Sequence, residues 1–423
     1  MDARELLLGS FHAAIAAADP LRIVPAHLPP PPRGRTVVVG AGKAAASMAA
    51  AVERHWPASA ALEGVVITRY GHGLPTDRIR VVEAGHPVPD EHGEAAAAGI
   101  LELARGLGPD DLLLVLVSGG GSSLLSLPVE GVSMADLKAV TRELLASGAP
   151  IQDMNTVRKH LSRVQGGRLA AATRARVLAL VVSDVTGDDP THIASGPCAP
   201  DPSTFGDARE ILERFGVRPP PSVAAHLERG DRGAVPETPK PGDAAFARAE
   251  NRVIATAHAS LVAAGDHFQA RGVTPMILGD SVTGESAEVA KVFGAIARQV
   301  RRHGHPMRPP VAIISGGETT VTLRGKGRGG RCSEFLLSLA VDLDGAADIW
   351  AIAGDTDGID GSEENAGAVM APDSVARARA LGLAPKRMLV DNDAHGFFSA
   401  LGDLVVTGPT RTNVNDYRAI LVR

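Results

Sequence analysis

Two glycine-rich loops, each directly after a run of apolar residues, are the first candidates for chemistry. Ser118–Ser123 (SGGGSS) follows the apolar run Leu112–Val117, and Ser315–Thr319 (SGGET) follows Val311–Ile314. Glycines let a backbone come close to a ligand, and free N–H groups at the start of a helix attract anions. Each loop is therefore a candidate cradle for a phosphate or carboxylate, with a plain tight turn after a buried strand as the alternative. Two such loops predict two domains that face one ligand.

A third glycine-rich loop contains a lysine. Gly40–Ala45 (GAGKAA) follows a predicted strand at Thr36–Val39 and fits the G-x-G-x-x-A pattern of dinucleotide-binding loops. That function also requires an acidic residue at the end of the second strand, where this chain has Arg69 and Tyr70. Only seven of the 43 basic residues are lysines, so Lys43 predicts a contact to a phosphate or carboxylate. A lysine that merely starts a surface helix is the alternative.

Aspartates cluster after two other predicted strands, Val177–Val182 and Asp348–Ala353. The carboxylates are Asp184, Asp188 and Asp189 after the first strand and Asp355, Asp357 and Asp360 after the second. Ligands of open α/β sheets bind at the carboxyl ends of strands, and Mg²⁺ takes one or two protein carboxylates together with phosphate oxygens. The pattern therefore predicts Mg²⁺ with a nucleotide, against the alternative that these aspartates only cap helices.

Cations are concentrated in two further segments. Arg158 precedes the Gly-Gly-Arg run 166–168, and the segment 324–331 (RGKGRGGR) alternates glycine with basic residues. Glycine-spaced arginines can reach several anionic oxygens, which phosphoryl transfer requires because its catalysis is mostly positioning and charge neutralisation. We favour this role for Arg331 and a solvated surface position for Lys326.

These loops need a scaffold that places strand ends side by side. Apolar runs and helical patterns alternate along most of the chain, which predicts the α/β class: two α/β domains, the larger with a Rossmann-like parallel sheet. The proline- and charge-rich stretch 218–242 is predicted as the linker, so the N-terminal domain covers residues 1–240 and the C-terminal domain 241–423. Local predictions include helices at Glu91–Arg105 and Met154–Ala172 and a hairpin at Thr319–Leu323.

Composition bounds the class of partner. The formal net charge of −5 and a pI near 6.3 give no electrostatic footprint for nucleic acid or an anionic membrane. No apolar segment has the length of a membrane span, and the first residues carry acids where a signal peptide has a basic region. The two cysteines, Cys198 and Cys332, have neither a disulfide pattern nor metal-ligand spacing. We therefore expect reduced thiols, a cytoplasmic location, small-molecule ligands, and no nucleic-acid or membrane partner.

A series of short motifs runs in order along almost the whole chain. They are GAGKAA (40–45), GHPVPD (85–90), VSGGGSS (117–123), NTVRKHLS (155–162), GGRLA (166–170), SDVTGDD (183–189), ASGP (194–197), SGGET (315–319), GRGGR (327–331) and AGDTDGIDG (353–361). Together they resemble the class II glycerate kinases, the glycerate 2-kinase family with a MOFRL-type C-terminal domain. The resemblance implies ATP- and Mg²⁺-dependent phosphorylation of D-glycerate at its 2-hydroxyl, giving 2-phospho-D-glycerate. It also implies an active site in the cleft between two α/β domains.

The resemblance assigns two residues and leaves two departures. Lys43 and Arg331 match the family's active-site lysine and arginine. Residues 332–334 are Cys-Ser-Glu where the family commonly continues with Asn-Gln-Glu, and Gln165 stands where a lysine often precedes the two glycines. Both departures bear on substrate preference more than on the fold.

Our hypothesis gives each group of candidates a role. Lys43 and Arg331 hold the glycerate carboxylate and the transferring phosphoryl group, and Asp189 accepts the proton of the substrate hydroxyl. The predicted phosphate- and substrate-binding residues are Gly42, Ser118, Gly119, Gly120, Gly121, Ser122, Ser123, Arg158, Ser315, Gly316, Gly317, Glu318, Thr319 and Arg328. The predicted metal ligands are Asp184, Asp189, Asp355 and Asp357.

Two other functions compete with a kinase. An NAD(P)H-dependent hydroxypyruvate reductase is the main alternative, because relatives of this family carry that label and the loop 40–45 suits a dinucleotide; the missing ribose-binding acid argues against it. A non-catalytic sugar-acid or nucleotide sensor is disfavoured, because it would not need two acidic loops and two cation clusters. The carbon phosphorylated, the range of hydroxy acids and the oligomeric state stay open, a homodimer included.

Overall fold

The computed structural model describes residues 2–423. They form two six-stranded sheets, each flanked by helices. In chain order the strands are β1 (Thr36–Ala41), β2 (Leu62–Arg69), β3 (Ile79–Ala84), β4 (Leu112–Val117), β5 (Arg176–Val182), β6 (Ala249–Ala255), β7 (Thr274–Val282), β8 (Val311–Gly317), β9 (Ile349–Asp355), β10 (Gly367–Met370), β11 (Leu404–Val405) and β12 (Asp416–Val422).

Helices connect most of these strands. In chain order they are α1 (Ala3–Ala17), α2 (Pro20–Ile23), α3 (Ala45–His55), α4 (Glu91–Arg105), α5 (Gly121–Leu124), α6 (Met134–Ala146), α7 (Ile151–His160), α8 (Arg168–Ala171), α9 (Phe205–Arg214), α10 (Pro221–Asp231), α11 (Ala257–Gln269), α12 (Ser286–His303), α13 (Arg331–Leu343), α14 (Ser374–Ala380), α15 (Pro385–Val390) and α16 (Ala394–Leu401). Short 3₁₀ turns lie at Val24–His27, Ile193–Ser195 and Ala244–Arg248.

The first sheet has the strand order β3-β2-β1-β4-β5-β6. Neighbouring strands from β3 to β5 pair in parallel, and every residue of β1 and β4 is buried. Helices on both faces explain why these strands are apolar throughout, without alternation. The strand order reverses between β1 and β4, and that is where ligands of doubly wound sheets bind. The predicted α/β class with a Rossmann-like parallel sheet is confirmed.

The second sheet is mixed, with the order β11-β10-β9-β12-β8-β7. The last strand of the chain, β12, lies antiparallel to both β8 and β9 in the middle of the sheet, and β7 pairs with β8 in parallel. This arrangement puts the carboxyl ends of β8 and β9 beside the start of β12. The loops after β8 and β9, with their hydroxyl and carboxylate side chains, therefore meet Asp416 at one edge.

The chain divides into two compact units. The first unit is Pro20–Ile254, and the second consists of the residues up to Asp19 together with Ala255–Arg423. Helix α1 belongs to the second unit, where it packs on α11 and on β9. The division thus differs from the predicted boundary at 240 in two ways: the first unit runs on to residue 254, and the N-terminal helix lies with the C-terminal part.

Three local predictions differ from the structure. The predicted linker 218–242 contains α10, which starts with proline at its first position and buries Val223 and Leu227. The helix predicted at Met154–Ala172 is instead two helices, α7 and α8, and Gly166 and Gly167, with φ of 59° and 79°, stand directly before α8. The hairpin at Thr319–Leu323 is wrong, since Thr320 makes only an isolated parallel bridge, to Glu285.

Other local features agree with the sequence. Helix α4 has the predicted bounds, and Asp90 caps it by accepting a hydrogen bond from Gly93 N. Cys198 and Cys332 are both buried and free. No helix among residues 2–423 is on its own long and apolar enough to cross a membrane, and one bent pair, Ala3–Ala17 with Pro20–His27, passes on length and composition alone.

Candidate active site

The backbone N–H groups of the loop after β1 are all used in hydrogen bonds within the protein. The N–H groups of residues 42–45 all donate within the protein, that of Lys43 to Gly119 O at 2.8 Å and the next one to Ser118 Oγ at 3.0 Å. A Cβ on Gly42 would lie 2.1 Å from the same Ser118 Oγ, so only glycine permits this approach of the two loops. A contact from this loop to an anion would therefore be made by the Lys43 side chain.

The loop after β4 has the opposite balance of hydrogen-bonding groups. Every backbone carbonyl from Ser118 to Ser122 accepts a hydrogen bond within the protein. In contrast, the N–H groups of Gly119, Gly120 and Ser122 donate none within the described chain. A loop that offers free N–H donors and no free carbonyl is suited to an anion. This balance favours the predicted cradle over a plain tight turn.

Two side chains lie beside the cradle at Gly120, which has a φ of 81°. A Cβ at this position would be 2.8 Å from His86 Nε2 and 3.5 Å from Lys43 Cγ. The structure therefore brings Lys43 together with the predicted Ser118–Ser123 loop. It also adds His86, to which the sequence analysis assigns no role; the place of His86 in the GHPVPD motif is the signal that points to it.

A turn from the ASGP motif supports the cradle from within the first unit. Ser195 Oγ lies 2.9 Å from Ser122 Oγ, and Ser195 is fully buried. Gln165 donates through Nε2 to the Ser122 carbonyl at 2.8 Å and to the Leu125 carbonyl at 3.0 Å. Gln165, one of the two departures from the family pattern, therefore holds the backbone of the cradle by neutral hydrogen bonds. Sequence reasoning missed Ser195 as a site residue.

The acidic loop after β5 is largely open to solvent. Asp189 is exposed and accepts a hydrogen bond from Thr191 N at 2.8 Å. Burial alone would raise the pKa of Asp189, but the hydrogen bonds from Thr191 and the charges of His192 and Lys159 outweigh it, so the pKa is lowered. Asp189 is therefore ionised at neutral pH. Asp184, half-buried, stands at the start of the same loop.

The basic residues Arg158 and Lys159 of α7 differ in how they are paired. Lys159 forms a buried ion pair with Asp201 at 3.3 Å, so it is a structural cation. Arg158 on α7 is half-buried, and the structure gives its guanidinium a hydrogen bond to Asn155 Oδ1 at 3.3 Å. Burial lowers the pKa of Arg158, because no carboxylate is close enough to offset the desolvation. Arg158 is thus the cation of this segment that is best suited to an anionic ligand.

In the second unit, Arg331 is the centre of a cluster of carboxylates. As the first residue of α13 it donates from Nε to Asp416 at 2.7 Å, from Nη2 to Asp355 at 2.9 Å and from Nη1 to Glu318 at 2.5 Å. The side chains of Asp416 and Asp355 are 0% and 7% exposed, whereas that of Glu318 is 54% exposed. The buried carboxylates of Asp416 and Asp355 therefore hold the guanidinium in place. Its Nη1 end, which is paired with the exposed Glu318, faces solvent.

The carboxylates around Arg331 also fix its charge. Burial alone would lower the pKa of Arg331, but Asp416, Asp355 and Glu318 outweigh burial and raise it far above its ordinary value. Glu318 was predicted to bind phosphate or substrate. Because it is paired with Arg331, its part in anion binding would act through that arginine.

The three aspartates of the loop after β9 have different partners. Asp360 accepts hydrogen bonds from Cys332 N at 2.9 Å and Ser333 N at 2.8 Å and thereby caps α13. Asp357 accepts one from Ile359 N at 2.9 Å. Asp355 is paired with Arg331, as described above. For Asp360 the structure thus bears out the alternative that aspartates in this loop cap a helix.

Within the part of the chain that the structure describes, side chains alone do not assemble a metal site. Among residues 2–423, no group of three or more His, Cys, Asp and Glu side chains is arranged to hold a metal ion. Mg²⁺ bound through one or two carboxylates and the phosphate oxygens of a nucleotide does not need such a group. Asp184 and Asp189, carboxylates at the open end of a parallel sheet, fit that kind of site, and Asp355 and Asp357 are also hard oxygen donors.

The loop after β8 is braced by a buried arginine. Arg418 on β12 donates to Gly316 O at 3.0 Å and to Thr319 Oγ1 at 3.0 Å. Ser315 Oγ is buried and has no hydrogen-bond partner. Gly317, with a φ of 99°, has no space for a Cβ, which would meet Val282 backbone atoms at 2.3 Å. These residues are placed together at the end of β8, next to the Glu318–Arg331 pair.

The basic segment 324–330 is docked on residues 391–395 by backbone hydrogen bonds. Glycines alternate with cations along it, and a Cβ on Gly325 or Gly327 would overlap Asp391 or Asp393. The cations Arg324, Lys326 and Arg328 are exposed, and the segment leads directly into Arg331. Arg328, one of these cations, pairs with Glu363 at 3.2 Å.

Known proteins agree with the family suggested by the motifs. The chain matches the domain of unknown function DUF4147 over residues 6–228 and the MOFRL family over residues 311–416. A D-glycerate 2-kinase of Thermotoga maritima is 39% identical, with 98% of this chain and 97% of the relative covered. The crystal structure of a glycerate kinase from Thermotoga maritima is 37% identical, covers 99% of both chains and has a TM-score of 0.88. The chain belongs to the class II glycerate kinase family.

One relative in this glycerate kinase family carries a different name. A protein of Agrobacterium vitis, provisionally named hydroxypyruvate reductase, is 52% identical, with 100% of this chain and 95% of the relative covered. Both names thus occur among relatives that match over nearly their full length. The glycerate kinases among the relatives and solved structures support the predicted kinase activity, and the provisional reductase name does not favour the alternative.

Proposed function

We propose that the protein transfers the γ-phosphoryl group of ATP to the 2-hydroxyl of D-glycerate, with Mg²⁺, and releases 2-phospho-D-glycerate. The observation that carries the proposal is the donor-only loop Ser118–Ser123 with Lys43 beside it, at the point where the order of the parallel strands reverses. Phosphoryl transfer needs charge neutralisation and positioning more than covalent help from the protein. A lysine and a cluster of N–H donors supply these two requirements.

Within the first unit the proposed roles follow from the hydrogen-bond balance. The N–H groups of Gly119, Gly120 and Ser122 bind anionic oxygens of a phosphate or of the glycerate carboxylate. Lys43 adds a full positive charge at the same loop, where it stabilises charge on the transferring group. Asp189, ionised at neutral pH, is proposed to accept the proton of the substrate hydroxyl.

Arg331 is proposed as the second cation of the reaction. Its charge is secured by Asp416 and Asp355, which hold the guanidinium in one orientation. Its Nη1 end then interacts with an anionic group of substrate or nucleotide in place of Glu318. An arginine held rigidly by buried acids loses little conformational entropy when a ligand binds.

Mg²⁺, when bound with the nucleotide, would neutralise charge on the phosphate oxygens. The carboxylates proposed to hold it are Asp184 and Asp189 in the first unit, with Asp355 and Asp357 as the alternative pair in the second. Asp360 is left out, because its oxygens are occupied by the N-terminus of α13.

The reductase activity is less compatible with the first unit. A dinucleotide-binding sheet places an acidic residue at the end of its second strand to bind the ribose. Here β2 ends at Arg69. The N–H groups of the loop after β1, which would face a pyrophosphate in that function, already donate within the protein.

The test is one incubation of the purified protein with D-glycerate, ATP and Mg²⁺, followed by ³¹P NMR, beside a parallel incubation with hydroxypyruvate and NADH. A 2-phosphoglycerate signal that disappears with EDTA is the expected result. A 3-phosphoglycerate signal would retain the kinase and change the carbon. Oxidation of NADH without phosphoryl transfer would overturn the proposal.

A further inference from the structure

The turn Ala194–Gly196 has a backbone conformation that L-residues avoid. Ala194, Ser195 and Gly196 have φ of 49°, 59° and 58°, so three successive residues are left-handed and only one of them is glycine. Strained residues of this kind persist where the surrounding structure holds them, and they concentrate at functional sites. The left-handed conformation of this turn therefore indicates a role in addition to reversing the chain direction.

Hydrogen bonds and close packing hold the turn in place. Gly166 N donates to Ser195 O at 2.9 Å, and Gly167 N donates to Gly196 O at 2.7 Å. On the other side the Ala194 methyl group lies against Gly121, where an added Cβ would approach it to 2.5 Å. The turn is thus fixed between the Gly-Gly-Arg segment and the donor loop after β4.

The Ser122–Ser195 distance is compatible with either serine as the donor, and the burial of Ser195 is what assigns the roles. Ser195 is fully buried, and Ser122 Oγ, 2.9 Å away, is the partner that the described chain offers its hydroxyl. If Ser122 donated, the Ser195 hydroxyl proton would be buried without an acceptor, which is unfavourable. Ser195 therefore donates and Ser122 accepts, so the proton of the half-buried Ser122 hydroxyl points elsewhere.

We infer that Ser195 is a positioning residue that makes Ser122 a committed hydrogen-bond donor to an anion bound by the Ser118–Ser123 loop. The ligand group is a phosphate or a carboxylate, because the loop presents three N–H groups and the Ser122 O–H group and has no unoccupied carbonyl. The inference rests on the proposed function in one respect, that the loop binds an anion. It adds that the strained turn exists to orient a hydroxyl and not only to connect elements.

A double-mutant cycle on the whole protein tests this, with inorganic phosphate as the probe in a calorimetric titration and with kcat and KM measured in parallel. Ser122→Ala and Ser195→Ala are each expected to raise the Kd for phosphate about 3- to 10-fold, the effect of one lost hydrogen bond. The double variant is expected to bind no more weakly than Ser122→Ala, because Ser195 acts through Ser122. Additive losses would overturn the inference, and so would an unchanged Kd in Ser195→Ala.

Two further variants separate positioning from folding. Ser195→Gly removes the hydroxyl but relieves the left-handed strain, so it is expected to weaken phosphate binding while Tm rises by about 2 °C. Ser222→Ala on α10, which removes a hydroxyl hydrogen bond to Asp136 on α6, lies outside the loops after β1 and β4; it is the matched control and leaves the Kd unchanged. If Ser195→Gly binds phosphate like wild type, the hydroxyl has no positioning role.

The outcomes also separate this inference from the proposed kinase. Phosphate binding that depends on Ser195, in a protein that transfers no phosphoryl group, would reject the kinase and retain the inference. Turnover of D-glycerate, together with a Kd for phosphate that does not change in the Ser195 variants, would retain the kinase and reject the inference. A wild-type protein that binds no inorganic phosphate would overturn the inference.

Discussion

Lys43 and Lys326 both stand in glycine-rich segments, but the structure separates them. The Lys43 side chain lies beside the donor loop after β4, whereas Lys326 is exposed on the docked segment 324–330. We expect Lys43→Ala to lower kcat for D-glycerate by about 100-fold or more, the usual effect of removing a charged group that stabilises the transition state. Lys43→Arg should recover little, because a planar fork replaces a compact ammonium group in a crowded loop.

The measurement is steady-state turnover with D-glycerate and ATP. Lys326→Ala is the matched control and should retain near-wild-type kcat, because its side chain extends into solvent. Near-wild-type turnover in Lys43→Ala would remove Lys43 from the mechanism.

Glu334 gives a prediction for the pH dependence of stability. Burial raises the pKa of this carboxyl from 4.5 to about 7, with Glu285 and Asp360 adding to the shift and the Asn392 hydrogen bond opposing it. Between pH 4.5 and about pH 7 the folded protein keeps a proton on Glu334 that the unfolded chain has released. The contribution of Glu334 to the free energy of unfolding therefore falls as pH rises through this range and is level above about pH 7. Glu334→Gln keeps the acceptor for Asn392 and removes the titration.

We therefore expect Glu334→Gln to be more stable than wild type at pH 8, by about 3 kcal/mol, and the difference to shrink towards pH 5. Urea unfolding at the two pH values measures it. Glu288→Gln, an exposed glutamate on α12, controls for the lost charge. An equal difference at both pH values would mean that Glu334 does not titrate in this window.

Candidate site residues could be singled out from sequence only where the residue types are unusual in their setting, and their roles stay predictions. A lysine in a chain rich in arginine pointed to Lys43, and the GGR motif pointed to Arg331. Aspartates in a glycine-rich loop serve equally as metal ligands and as caps, so the cap formed by Asp360 on α13 could not be distinguished beforehand. Ser195 meets Ser122 across 73 residues, and a contact at that distance is set by the fold.

At the scale of elements, the docked segment 324–330 depends on its glycines. Asp391 Oδ1 accepts from Lys326 N at 3.2 Å, Asp391 O accepts from Gly327 N at 2.8 Å, and Asn392 Oδ1 accepts from Arg324 N at 2.7 Å. A Cβ on Gly327 would lie 2.5 Å from Asp393 N, a backbone atom that cannot move aside cheaply. The segment is thus held by hydrogen bonds from its backbone and has no space for a side chain at the glycine that faces Asp393.

Gly327→Ala is therefore expected to detach this segment and to destabilise the second unit by about 1–3 kcal/mol, the range for overpacking. Hydrogen exchange of residues 324–330 should accelerate, and turnover should fall because the segment leads into Arg331. Gly99→Ala in α4 is the control: nothing lies within 4 Å of its added Cβ, and alanine favours a helix. Unchanged exchange in Gly327→Ala would show that the segment is not docked in solution.

Elements with strong local signals were predicted with their bounds, and those that depend on tertiary contacts were not. Helix α4 has an N-cap, Asp90, and an apolar face, and the structure reproduces it residue for residue. Helix α10 lies in a stretch that reads as a linker because of its prolines, yet one proline starts the helix and its apolar side chains pack on the cluster around Phe205. The hairpin after β8 failed because Thr320 bonds to residue 284, a partner distant in sequence.

For the whole molecule, chain order and spatial division disagree at the N-terminus. The DUF4147 match starts at residue 6, within α1, but α1 packs in the second unit. The Phe11 ring stacks on Tyr417 with centroids 5.8 Å apart, and the Tyr417 hydroxyl donates to Ser10 Oγ at 2.8 Å. Helix α1 thus completes a core together with β12, about 400 residues later in the sequence, and no local sequence signal could have predicted this.

Phe11→Ala tests the assignment of α1. Phe11 is fully buried, and its ring packs against Gly354, where an added Cβ would lie 2.8 Å from the ring. The cavity is expected to destabilise the second unit by about 3–5 kcal/mol. In native-state hydrogen exchange, protection should fall in β9 and β12 while β1 and β4 keep theirs, because each unit has its own core.

Leu101→Ala is the reciprocal control, since Leu101 on α4 is buried in the core of the first unit. It should lower protection in β1 and β4 and spare β9 and β12. If Phe11→Ala instead reduced protection in β1 and β4, α1 would stabilise the sheet that follows it in sequence, and the division at Asp19 would be wrong. The opposite patterns in the two variants would establish that the second unit needs the first 19 residues, so that residues 255–423 expressed alone would lack part of their core.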